Sequence, residues 1–330
     1  MKNNSYEKTL EIIKSTSDMP IENALETLIA CAKKGNALAS VRAIKTIAKL
    51  NHPSVAPSLC DIYNWIAEDP RKRDRACDMR IAITEALGNT GAIVGIDILQ
   101  KAIRTVEIAK LGPAPEDIAI GLRAAAAIAL AKVDSDAIYE LAILFYDEEP
   151  TIPTSPVNRP YVKAPTRKAA AQAMGILRDA GGLAILAARL KFPRGEVPEV
   201  LAECLESLIC ARPSYMLEAI KPYLLGRDEY LSATAALSLA ENLGTAALDL
   251  LCEAVSDVLG EAKEAIVIAI STIRDSSVRK ILLDFLDNPN PFVRRGAVKG
   301  IKAYMDDEVK EKLQAMRNND PDKFVRQAAE

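Results

Sequence analysis

An all-α chain, wound as a solenoid (superhelix) of about nine helical hairpins, is what the sequence predicts, and three observations predict it. One spacing of apolar residues recurs along the whole length. Cap and turn residues separate each copy from a second amphipathic segment. No segment sustains a period of two with β-branched residues, so no strands are expected. Composition agrees: 49% of the residues are hydrophobic but only 5% aromatic, so Ala, Leu, Ile and Val carry the apolar content, which suits closely packed helices.

Counting from Arg294, positions +3, +6, +7 and +10 are Ala297, Gly300, Ile301 and Tyr304, one stripe of a helix. From Arg80 the stripe reads Ile83, Ala86, Leu87, Thr90; from Arg123, Ala126, Ala129, Leu130, Val133; from Arg167, Ala170, Ala173, Met174, Leu177. Further origins are Ser40, Pro198, Tyr230, Lys263 and, at the end of the chain, Arg326. The +6 residue is small and the +7 residue large and aliphatic in every full copy. A small residue lets the next helix approach, and the large one fills the groove beside it. Each stripe helix is followed by a second amphipathic stretch, as at Pro53–Ile66, Asp136–Phe145, Pro213–Leu225, Thr245–Leu259 and Ser276–Leu286. Turns such as Asp134-Ser135-Asp136 and Asp275-Ser276-Ser277 supply the start and stop signals. A hairpin of this kind cannot bury both faces alone and must stack on its neighbours.

Asn290-Pro291-Phe292-Val293-Arg294-Arg295-Gly296-Ala297 resembles the start of the second helix of a HEAT repeat. Asp322-Lys323-Phe324-Val325-Arg326 and Met79-Arg80-Ile81-Ala82 do so too. The closest variety is similar to the short HEAT-like repeats of phycobilin lyases. The resemblance implies a single array over 1–330 and an arginine that bridges neighbouring repeats through a carboxylate. Ser40, Pro198, Tyr230 and Lys263 stand where that arginine is expected, so the ladder should be interrupted there.

Successive origins are separated by 40, 43 and 44 residues, then by 31, 32, 33, 31 and 32. Residues 1–165 therefore carry insertions, whereas 166–330 form regular repeats. The surplus falls at Ala67–Asp78, around Arg104–Asp117 where Gly112-Pro113-Ala114-Pro115 breaks the helix, and at the proline-rich stretch Asp147–Pro165. Repeats stack in register, so these inserts are expected to form a ridge along one edge.

Several chemistries find no support in the sequence. The single histidine, His52, lies in a turn before Pro53 with no nucleophile motif to serve. HEAT-fold deoxyhypusine hydroxylases hold iron through several His-Glu pairs, which this chain lacks. Gly88-Asn89-Thr90-Gly91 reads as a helix C-cap, not a phosphate loop. No catalytic residue, metal ligand set or cofactor is expected. The net charge of −3 offers no broad footprint for nucleic acid, no apolar run of membrane-spanning length is read, and six scattered cysteines suit a reduced, cytoplasmic protein.

What is expected instead is a scaffold or adaptor that binds a protein or peptide partner along its concave face or the insert ridge. The densest basic run, Arg71, Lys72, Arg73 and Arg75, reinforced by Arg80, offers an acidic-partner site; Arg159, Tyr161 and Lys163 add two cations and an aromatic anchor in the third insert. The resemblance also implies an alternative, a bilin-binding protein akin to phycobilin lyases. A HEAT-like nucleic-acid binder, of the alkylpurine glycosylase kind, is disfavoured by the acidic balance and scarce aromatics.

Overall fold

The computed structural model describes residues 2–109, 115–147 and 164–330. Its helices are α1 (Lys2–Ser15), α2 (Ile21–Lys34), α3 (Ala37–Ile47), α4 (Val55–Glu68), α5 (Pro70–Arg73), α6 (Asp78–Thr90), α7 (Ile96–Ile103), α8 (Ile120–Val133), α9 (Ile138–Phe145), α10 (Ala164–Leu177) and α11 (Ala180–Lys191). They continue as α12 (Pro198–Ala211), α13 (Met216–Leu224), α14 (Glu229–Leu243), α15 (Leu248–Asp257), α16 (Ala262–Thr272), α17 (Ser276–Leu286), α18 (Pro291–Ile301), α19 (Asp307–Asn319) and α20 (Lys323–Ala328). The protein is all-α, built from sequential helical hairpins. Side-chain caps set many of the starts: Asn36, Asp228, Asp275, Asn290, Asp306 and Asp322 each accept a backbone N–H from the first turn they precede.

Two compact units make up the chain, Met1–Gly182 and Leu183–Glu330, with the division inside α11. In the first, the stripe helices α3, α6, α8 and α10 pack in sequence; in the second, α12, α14, α16, α18 and α20 do the same. The small +6 residues sit at these contacts. Ala173 and Ala269 are fully buried and Ala86 nearly so, and the +7 residues Leu87, Leu130, Met174, Ile270 and Ile301 are fully buried beside them. Approach is closest at Gly300, where an added Cβ would lie 2.5 Å from Ser271 Cβ, and nearly as close at Gly88, where it would lie 2.7 Å from Ala129 Cα. Leucine at Ala86, Ala173 or Ala269 is therefore expected to cost about 1–3 kcal/mol, because the facing helix backbone leaves no room for three more carbons. Urea titration of the three variants checks this, and three neutral results would contradict the packing.

Two stripe origins need correction. In α3, α8, α10, α18 and α20 the origin is the fourth helical residue, which in α12 is Leu201 rather than Pro198 and in α14 is Ser232 rather than Tyr230. The helix ends agree. Left-handed residues close α6 at Gly91 and α10 at Arg178, each eleven past its origin; the left-handed cap of α12 is Arg212, eleven past Leu201. In α14 the residue read as the +7 leucine, Leu237, is 38% exposed, while Leu239 is fully buried. Two leucines two residues apart fit the same spacing rule, and only the neighbouring helices decide between them. With these origins the last five steps are 34, 31, 31, 31 and 32 residues.

The expectation of no strands is also corrected. Ile108–Ala109 (β1) and Glu116–Asp117 (β2) pair antiparallel, Ile108 opposite Asp117 and Ala109 opposite Glu116. These lie in the second insert, whose residues 110–114 are outside the described set. One further stretch, Glu229–Asp257, has the length and mean hydropathy of a membrane-crossing helix. It is divided at Gly244, whose φ is +54°, and Ser232, Ala235, Ala236 and Leu239 of its first half are buried among the stripe helices.

Candidate functional site

The first insert follows α4 directly. Asp69-Pro70 opens the single turn α5, with proline at a position whose N–H has no helical partner to lose. Arg73 then folds back: its Nη1 donates to the Trp65 carbonyl and to Glu68 at 2.6 Å, and its guanidinium lies 4.5 Å from the Trp65 ring centre. Lys33 approaches the same ring at 5.8 Å. Arg73 thus fixes the insert against α4. Arg71, Lys72 and Arg75 are exposed, and none makes an ion pair among the described residues. Arg159, Tyr161 and Lys163 lie outside the described residues.

Arg80 is a correction. Expected to reinforce an exposed basic cluster, it is 3% exposed and sealed inside the unit. Its Nε donates to Asp74 at 3.1 Å, Nη2 to Glu107 at 2.9 Å and to Cys77 Sγ at 3.1 Å, and Nη1 also donates to Glu107. Asp74 in turn accepts the backbone N–H groups of Met79 and Arg80, each at 3.0 Å, so one carboxylate caps α6 and pairs its arginine. Cys77 adopts a left-handed conformation, φ +65°, at the turn into α6.

The second insert is tied down in the same way, by Arg80 through Glu107 and by the next stripe arginine. Arg123, 2% exposed, pairs with Asp117 at 2.7 Å and donates to the Thr105 carbonyl at 2.8 Å. Asp117 also accepts the N–H groups of Ala119 and Glu107, which joins the two arms of the hairpin. Arg104, at the end of α7, is held by both carboxylate oxygens of Glu140. From Arg104 to Ala109 exposure alternates: Arg104, Val106 and Ile108 face out, Thr105, Glu107 and Ala109 are half-buried.

Electrostatics follow from this geometry. Burial pushes the Tyr63 hydroxyl up to about 12, beside Arg80 and Thr105, and pushes the Cys77 thiol up to about 12, so Cys77 is a protonated donor and not a nucleophile. Burial opposes the charge on Arg80, but its hydrogen bonds with Glu107 and Asp74 outweigh that, and its affinity for the proton rises. The hydrogen bond from Arg80 holds Glu107 below the usual glutamate range. A carboxyl with a depressed folded-state pKa contributes stability that is complete above its unfolded value, roughly 4, and is lost as pH falls through the folded value. Acid titration is therefore expected to loosen the second insert below about pH 4, with Glu107→Gln flattening that part of the profile. Hydrogen exchange of the Glu107–Asp117 amides measures it; an unchanged acid profile in Glu107→Gln would contradict the assignment.

In the second unit the corresponding arginine makes the bridge that the resemblance implies. Arg294 donates bidentately to Asp320 at 2.8 and 2.9 Å, with Nη1 on the carbonyls of Asn288 and Pro289. The partner is the residue six before the next stripe arginine, Arg326, and Asp320 also accepts the Asp322 N–H at 2.8 Å. Asp74, Asp117 and Asn288 occupy that same place before Arg80, Arg123 and Arg294. A short carboxylate or amide six residues before the stripe arginine is the signal in the sequence that marks these partners. Glu107, Val106 and Ile108 carry no comparable signal, because six residues of alternation are too few to identify a strand.

Residues 249–330 match the family model of HEAT repeats. No curated protein matches the chain in sequence. Among solved structures that match, human deoxyhypusine hydroxylase in complex with glycerol is 15% identical, covering 86% of this chain and 96% of that one at a TM-score of 0.34. The HEAT repeat is accordingly established for the C-terminal region of the chain, where the Arg294–Asp320 bridge lies.

Proposed function

We propose that this chain is a non-enzymatic scaffold or adaptor that engages a protein partner along the insert-bearing edge of its N-terminal unit. The observation that supports this reading is the anchoring of the inserts. Arg80 and Arg123 are taken out of water to hold Asp74, Cys77, Thr105, Glu107 and Asp117, and burying guanidinium groups costs several kcal/mol before their partners offset it. A loop that is merely tolerated has no need of such ties. HEAT repeats in general mediate protein interactions, and an edge with fixed inserts gives that general surface local character. A reducing, cytoplasmic setting belongs to the same reading, supported by the burial of Cys31, Cys60, Cys77 and Cys204 in the helical core.

Site-specific photo-cross-linking tests the reading. A benzophenone amino acid is placed at Lys72 on the insert edge or at Lys310 on α19, and the chain is expressed in its native cells. Adducts to one discrete protein from Lys72 and none from Lys310 are expected. Adducts from Lys310 alone, or to chaperones alone, would remove the insert edge from consideration.

A further inference from the structure

We infer that a solvent-facing row across the stripe helices α12, α14, α16 and α18 docks a polyproline-II segment of a protein partner. The segment presents a cation, two apolar side chains and a carboxylate at three-residue steps. This surface belongs to the C-terminal unit and stands apart from the insert edge. With the origins Leu201, Ser232, Lys263 and Arg294, the residues five past each are Glu206, Leu237, Ile268 and Lys299, each 31 from the next. The four helices pack in sequence, which lines these residues up as one row. Glu206, Leu237 and Lys299 are exposed and Ile268 is half-buried. Tyr230 and Phe292 stand two turns before Leu237 and Lys299 on the same faces, the tyrosine 51% exposed, and give the row an aromatic flank.

Spacing and charge select the occupant. Packed helices lie about 8–10 Å apart, and the row has that step. A polyproline-II chain returns a side chain to one face every third residue, about 9 Å along. A β-strand returns one about every 7 Å and falls out of step across four helices. The two ends of the row differ in sign. α12 and α14 carry Glu199, Glu203, Glu206, Glu229 and Glu241 and no Lys or Arg, whereas α18 carries Arg294, Arg295 and Lys299 and no carboxylate. Cations adjoining α12 and α14 lie in the turns: Arg212, whose Nη2 donates to the Asn242 carbonyl, and Arg227, which precedes Asp228. At the other end Arg295 and Lys299 share the buried Glu264, Lys299 at 2.7 Å, and Glu261 lies 3.8 Å from Arg295. Lys302, one turn past Lys299, is exposed, so three cations meet two carboxylates there. Asp322 also acts on Arg295, and its own helix α20 adds Lys323 and Arg326. Opposite signs at the ends set which end of the partner carries the cation. A nucleic-acid backbone, negative throughout, is repelled by the α12 end.

Selection from a phage-displayed library of random peptides, about 12 residues long to span the four steps, on the immobilised full chain tests this, followed by fluorescence polarisation with the enriched peptides. The expected motif is Lys or Arg, two apolar residues, then Asp or Glu, each three positions from the last and read in one chain direction, with proline enriched between them. Leu237→Ala and Glu206→Lys should each weaken binding by about tenfold or more. Glu206→Lys should also regain affinity for the peptide whose Lys or Arg is changed to Glu, an exchange of preference that misfolding cannot produce. Both side chains are exposed, so the thermal transition should not move, and either variant decides if the other misfolds. Absence of enrichment, a motif repeating every two or every seven residues, or binding indifferent to both variants would overturn the inference. So would a Glu206→Lys chain that keeps the original charge preference, or comparable affinity for a mixed-sequence oligonucleotide.

Discussion

Replacing Arg80 by Met is expected to lower the unfolding free energy of the N-terminal unit by about 3–5 kcal/mol, the range for removing one partner of a buried ion pair. Methionine can fill much of the same space, so the loss is electrostatic rather than a cavity. Asp74, 3% exposed in its side chain, keeps its two backbone N–H partners but loses its countercharge, and Glu107 loses both bonds from Arg80 and keeps only the Cys77 thiol. Adding Glu107→Gln to the Arg80→Met background should recover part of the loss, because a neutral amide tolerates the desolvated position better than a carboxylate. Arg123→Met should cost less than Arg80→Met. Its Nε and Nη2 are buried without hydrogen-bond partners, so the native state already bears a desolvation penalty that methionine relieves. Denaturant titration of the three variants measures the order, and a cost below about 1 kcal/mol for Arg80→Met would show that the pair is not a stabilising element.

The contrast between the two arginines explains what the sequence could reveal. The stripe spacing depends on local geometry, one helix against one groove, and it placed a helix at each of the nine origins. Partners of the arginines come from other segments. Arg80 was grouped with Arg71, Lys72, Arg73 and Arg75 because it is close to them in sequence and shares their charge, whereas its surroundings are set by Glu107, 27 residues on. Nothing within the basic run distinguishes Arg73, which lies on Trp65, from Arg71 and Arg75, which face solvent. Separating them needs the return path of α5, and that depends on the single turn between Asp69 and Asp74. Arg294 was easier to place because Asn290-Pro291 fixes the start of α18, so the arginine falls one turn into the helix, facing the next repeat.

The same reasoning gives α14 a sharp test. Leu239→Ala should destabilise the C-terminal unit by about 2–5 kcal/mol, while Leu237→Ala should cost less than about 1 kcal/mol. Leu239 is fully buried, so truncation removes three carbons from a site whose neighbours, Ala235 and Ala236 on its own helix, are too small to close the gap. Leu237 is 38% exposed and already shares its surface with water. Ser232 supports this register from the other end. Its hydroxyl, fully buried, donates to the Leu224 carbonyl at 2.7 Å, reaching back to the preceding helix as the Arg326 guanidinium does to the carbonyls of Asp320 and Pro321. Ser232→Ala would thus leave that carbonyl without its donor, at a cost on the order of 1–3 kcal/mol. A larger loss at Leu237 than at Leu239 in urea titration would return the stripe origin to Tyr230 and unseat the 31-residue repeat of the C-terminal unit.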